Sequence, residues 1–177
     1  KDLRHKVHRG LAGVVRDGRH AGGRAYGYTP IPGSPGELVV VEAEAEIVRR
    51  IFDLYNNGVR PRRIAKLLND EGIPAPRGKA WSASTINGNT ARGHGILLNP
   101  IYAGKRVWNR VRMIKDPETG RRLSRVNPKE EWMIEDVPQL AIIQQEAFDF
   151  AQQLKASRTF DHPGKQKQPK YLFSGLL

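Results

Sequence analysis

Residues 60–86, RPRRIAKLLNDEGIPAPRGKAWSASTI, carry the pattern on which the fold turns. Ile64, Leu67 and Leu68 recur at helical spacing, so a helix is expected from about Arg60 to Asp70. Pro61 is tolerated in its first turn, where its missing N–H costs nothing, and Gly72 ends it. Ile73 to Lys79 then reads as a rigid basic turn built on Pro74 and Pro76. Ser82 is a natural N-cap, and Trp81 before it is placed to act as a hydrophobic staple, so another helix opens at Ser82-Ala83-Ser84-Thr85-Ile86. A helix, a turn and a second helix opening with small polar residues, all in basic sequence, outline a helix-turn-helix. Short helices joined by turns also occur in many unrelated domains.

Upstream, Ala43 to Asn57 predicts a helix whose buried face is Ile47, Val48, Ile51, Phe52, Leu54 and Tyr55, with early Glu residues at its positive end. Glu37 to Val41 is β-branched and strand-like. Residues 19–36 are rich in Gly, Pro and Arg without periodicity and read as a linker. Residues 1–18 space Leu3, Val7, Leu11, Val14 and Val15 as one helical face. Downstream, Tyr102 to Arg112 reads as one strand, with Val107, Asn109 and Val111 alternating against Arg106, Trp108, Arg110 and Arg112. Asp116 to Gly120 makes a turn, Arg121 to Val126 a second strand, and Glu131 to Val137 a third, with Trp132, Ile134 and Val137 as its apolar positions. Gln144 to Ala156 is helical. Val39, Val40, Phe52, Leu67 and Phe148 are expected in the core, and Trp81, Tyr102, Trp108 and Trp132 as packing residues.

The expected class is therefore α+β: a helix-turn-helix-like helical core, then a small antiparallel sheet and a C-terminal helix. The expected organisation is the end of a long helix over 1–18, a basic Gly/Pro linker over 19–36, a DNA-binding domain over 37–156 and a polar linker over 157–177.

The 177 residues carry 30 Lys and Arg against 18 Asp and Glu, a net charge of +12. The excess is clustered, net +5 over 1–28 and +9 over 57–113, while 29–56 is net −3. Clustering of this kind fits a polyanionic partner better than a uniformly solvated surface. No apolar run approaches the roughly 20 residues that span a bilayer. The absence of cysteine excludes thiol nucleophiles and cysteine-ligated zinc within these residues. His5, His8, His20, His94 and His162 are scattered, Gly93-His94-Gly95 lacks the remainder of a phosphate loop, and no Ser or Thr has a neighbouring His to activate it. The expectation is no catalytic residue, no metal and no cofactor in this stretch.

Five segments in order then resemble the recombinase domain of large serine recombinases. They are Arg9-Gly10-Leu11-Ala12-Gly13 with Gly22 to Tyr28, Ala45 to Phe52, Ile64 to Asn69 with Gly72-Ile73-Pro74, Trp81 to Ile86, and Asn99 to Gly104. The resemblance implies a DNA-binding module of an integrase-, resolvase- or invertase-like enzyme, cytoplasmic and bacterial or phage-encoded. It further implies a separate N-terminal domain holding the DNA-cleaving serine, and a zinc ribbon after Tyr171 to Leu177, so zinc belongs to that ribbon. The parent would assemble as a dimer or tetramer on DNA, with this stretch monomeric in solution. One departure is the insertion of Asn87 to Gly95 ahead of Ile96-Leu97, a gap that the family usually closes in fewer residues. Gly88, Gly93 and Gly95 predict a short helix followed by a polar loop.

On this reading the partner is double-stranded DNA. Arg9, with the strand around Arg16, Arg19 and Arg24, would follow the minor groove, where thin cationic arms fit. Ser82, Ser84 and Thr85 would contact phosphates, and Asn87, Asn89 and Arg92 would reach base edges. Arg77, Lys79, Lys105, Arg106 and Arg110 would neutralise phosphates. A stand-alone helix-turn-helix regulator is the alternative, and an RNA-binding protein a more distant one.

Overall fold

The computed structural model describes residues 2–23, 25–78 and 80–160. Helix α1 spans Asp2–Arg16. A short antiparallel hairpin follows, β1 (Tyr28–Pro30) on β2 (Leu38–Val40), with Tyr28 opposite Val40. Then come α2 (Glu42–Asn56), α3 (Pro61–Asp70) and the single-turn α4 (Ala83–Asn87). The remainder is β3 (Lys105–Trp108), β4 (Val111–Lys115), β5 (Arg122–Val126), β6 (Met133–Asp136) and α5 (Gln145–Phe160). The class is α+β, as expected.

The helices form for the reasons their sequences give. In α2, Ala45, Val48, Ile51, Phe52 and Tyr55 fall on one face and are buried, and Glu42 and Glu44 occupy its first turn. In α3, Pro61 sits in the first turn, and Ile64, Ala65 and Leu68 are buried. Ile86 is the one buried side chain of α4. These join Ile96, Leu97, Ile101, Tyr102, Val137, Leu140, Ile142, Phe148 and Ala151 in one contiguous core, with α5 packed along α2.

The segment read as a linker is partly structural. Tyr28 is buried, and its hydroxyl lies 2.7 Å from the Leu140 carbonyl, to which it donates, and 3.2 Å from that of Ile101. Gly27 N–H donates to the Glu44 carboxylate at 2.6 Å, which ties the hairpin to α2. A three-residue strand is too short to show alternation, and the surrounding Gly and Pro masked it. Val39, expected in the core, points out and is 46% exposed.

The expected single strand over 102–112 is two strands and a turn. Residues 100–103 form a 3-10 turn, and Asn109 takes the left-handed conformation with φ of 60°, a geometry Asn tolerates better than most residues. The break there sends β3 and β4 to different partners. β3 pairs with β6 (Arg106 opposite Glu135), whereas β4 pairs with β5 (Arg112 opposite Arg125). The small sheet is thus two separate ribbons, and Ile134 on β6 is exposed. Helix α5 runs to Phe160, past the expected end at Ala156. The rest of the expected tail, from residue 161 onward, lies outside the described residues.

Candidate nucleic-acid interface

The junction between α3 and α4 is fixed by one asparagine. At the end of α3 the Asn69 amide accepts from Trp81 N–H at 2.7 Å and donates to the Trp81 carbonyl at 2.9 Å. The Trp81 indole N–H donates to the Ile73 carbonyl at 3.1 Å, and its buried ring meets Tyr26 edge-on at 5.2 Å. Trp81 is therefore the pivot from which α4 starts. Ser82 caps that helix, its Oγ accepting from Thr85 N–H at 3.1 Å. The same Oγ is 2.9 Å from the hydroxyls of both Ser84 and Thr85.

After α4 the chain closes on itself. Asn89 and His94 form an antiparallel bridge, with Asn89 N–H donating to the His94 carbonyl at 2.9 Å. Gly88 and Gly95 cross so closely that a Cβ on Gly88 would lie 1.8 Å from the His94 carbonyl oxygen. Their φ angles, 66° and 114°, also lie where only glycine is comfortable. The short helix and polar loop expected over this insertion are what forms.

Between the basic turn, α4 and this loop lies an open cavity of about 600 Å³, with Arg77, Ser84, Thr85 and His94 among its lining side chains and Tyr26 and Tyr102 at its floor. Arg77, Ser84, Asn89, Arg92 and His94 are exposed. The Tyr102 hydroxyl donates to the Tyr26 carbonyl at 3.0 Å, and burial pushes its phenol far above the usual tyrosine range. Tyr102 is thus a neutral, structural floor.

Residues 42–158 match a protein-family model described as Recombinase. The chain belongs to the Recombinase family. No curated protein matches the sequence. Among solved structures, one of an LSR–DNA complex is similar over 95% of this chain and 42% of its own, at 20% identity and a TM-score of 0.58. Another, concerned with the sequence requirements of the Listeria innocua prophage attP site, matches at 20% identity and a TM-score of 0.58, over 95% of this chain and 58% of its own. The chain thus spans about half the length of the solved proteins it resembles, and at this identity the likeness is one of fold.

Within this recombinase domain the expected contact residues separate into two sets. Arg77, Ser84 and Thr85 line the cavity beside α4, and Asn89 and Arg92 lie exposed on the loop after it. Thr85 is half-buried, and the Asn89 side-chain oxygen accepts from Arg92 N–H at 3.0 Å. Asn87 is engaged within the domain, where Lys155 of α5 donates to both its carbonyl and its side-chain oxygen. Arg106 is not a surface phosphate ligand. Only 6% exposed, it donates to the Gly18 carbonyl at 2.6 Å, where it secures the end of α1. Arg110 is half-buried, donates to the Gly93 carbonyl at 2.6 Å and lies 5.0 Å over the Trp132 ring. Burial pushes both guanidinium groups below the usual arginine range.

Arg9 and Arg16 are exposed on α1, Arg19 pairs with Asp17 at 2.9 Å, and exposed Lys105 stands opposite Asp136. Arg24 and Lys79 lie outside the described residues. The sequence reading missed Asn69 and Lys155; each is a polar residue on an amphipathic helix, where solvent exposure is the ordinary expectation. Among the described residues no three His, Asp or Glu are grouped so that they could hold a metal. No described helix is long and apolar enough to cross a membrane.

Proposed function

We propose that this chain binds double-stranded DNA as the recombinase domain of a site-specific serine recombinase, and so positions a separate catalytic domain on its target. The observation that supports this most is the cavity beside α4, lined by Arg77, Ser84 and Thr85 and followed in the next loop by exposed Arg92, in a family member of net charge +12. Exposed guanidinium groups supply phosphate attraction and bidentate donors for guanine, and the hydroxyl supplies a short-range contact. The short α4 with its closed loop would enter the major groove, while Arg16 and Arg19 at the end of α1 would follow the neighbouring minor groove. Cleavage would belong to the catalytic domain, and any zinc to a following ribbon.

Selection of bound duplexes from a random pool at about 150 mM salt, where counterion-driven binding is suppressed, tests the reading. The expected result is an enriched, non-palindromic motif of about one helical turn. Replacing Arg77 and Arg92 together by Gln should abolish that enrichment. A palindromic motif bound by a dimer would replace this reading with that of a stand-alone regulator, and the absence of any duplex binding would overturn it.

A further inference from the structure

The β4–β5 ribbon is built against its own stability. Directly opposite residues on an antiparallel pair lie on the same face, with side chains close together. Here Arg112 faces Arg125, and Lys115 faces Arg122. Like charges so placed are destabilising, and none of the four forms an ion pair among the described residues. The nearby Asp116 is held instead by the N–H groups of Glu118 and Thr119 at the turn and feels Arg125 only weakly.

Nor does packing explain the ribbon. Its strands pair with each other, and no other element packs along them to a comparable extent. Val111, Met113 and Val126 remain exposed. A lone two-stranded ribbon is marginal in water. Among the described residues its hydrogen bonds to the body are at its base, where Asn127 N–H donates to the Arg110 carbonyl at 3.0 Å and its side chain to the Asn109 carbonyl at 2.8 Å. Arg110 in turn grips Gly93 in the loop after α4, so the ribbon springs from the edge of the candidate interface.

We infer that the β4–β5 ribbon is a second nucleic-acid contact, in which Arg112, Lys115, Arg122 and Arg125 straddle duplex phosphates beside the site at α4. The inference rests on the DNA-binding reading above. A polyanion cancels the repulsion that both cross-strand pairs carry in the free protein. Five paired residues extend about 17 Å, and a two-stranded ribbon fits the roughly 12 Å width of the major groove. Because the charges lie on both faces, the contact serves affinity more than base reading.

The test uses the whole chain and a random-sequence duplex of about three helical turns, titrated by fluorescence anisotropy across a salt series. Replacing all four residues by Gln should weaken binding at least about tenfold at low salt and make the log–log salt slope shallower by about 3. The charge-keeping variant Arg112→Lys, Arg122→Lys, Arg125→Lys should keep the wild-type slope. Unchanged affinity and slope in the Gln variant, with the wild type binding, would overturn the ribbon contact and leave the DNA-binding reading standing. Equal losses in the Gln and Lys variants would also overturn it, since the effect would not be one of charge. A folded wild type that binds no duplex would overturn both. If the Gln variant does not fold, amide exchange of the wild type decides: the contact requires added duplex to protect residues 111–126, and unchanged exchange there overturns it.

Discussion

Asn69 has a role out of proportion to its size. Its amide makes two hydrogen bonds to the backbone of Trp81 and so fixes the angle between α3 and α4. Asn69→Ala leaves a Trp81 N–H and carbonyl without these partners, for an expected loss of about 1–3 kcal/mol in urea unfolding. Asn69→Asp is the informative companion, because a carboxylate still accepts from Trp81 N–H but cannot donate to its carbonyl. It should fall between the wild type and Asn69→Ala, and equality with the wild type would mean that the bond to the carbonyl contributes nothing. Ser82 is used in the same way. Its hydroxyl caps α4 first, so its contribution to any DNA contact would come through the helix it holds.

At the scale of elements, α4 is a single turn that depends on the loop behind it. Gly88 ends the helix with φ of 66° and ψ of −166°, and the chain returns at once to pass within van der Waals range of itself at Gly95. A methyl group at Gly88 would collide with the backbone of His94, which has no flexible end to move aside. Gly88→Ala should therefore open the closed loop, at a cost of at least about 1 kcal/mol, and raise the exchange rates of the Asn89 and Gly93 amides. The core around Phe52 and Tyr102 should keep its protection, since it is assembled from other elements. If the Asn89 amide stays as protected as in the wild type, the loop does not depend on this glycine.

Across the whole molecule, Arg106 joins α1 to the body. Buried against the last turn of that helix, it donates to the Gly18 carbonyl, while Val15 is fully buried and His8 lies 4.9 Å from the Trp108 ring. These contacts set the angle at which α1 meets the rest of the recombinase domain. Arg106→Met keeps the bulk and removes the charge and the hydrogen bond. It should loosen α1 selectively, with faster exchange over 15–20 and little change at the α2 and α3 core amides. A global loss of stability of more than about 3 kcal/mol would instead place Arg106 among the determinants of the core.

The sequence by itself determined the helices and most of the core. Apolar residues at helical spacing over 42–56 and 61–70, Gly after each, and Ser82 before Ala83 are local signals, and local physics decides them. It also determined the clustering of positive charge along the chain, which follows from the order of the residues alone. Only the tertiary structure decided that Tyr28 belongs to the core, that the chain breaks at Asn109 into two ribbons, and which cations remain on the surface. Arg106, Arg110 and Arg112 look alike in sequence, yet Arg106 is buried on Gly18, Arg110 is spent on Gly93 and Trp132, and Arg112 is left facing Arg125. That sorting depends on carbonyls and rings brought close from 17 to 88 residues away along the chain, a distance no local pattern can report.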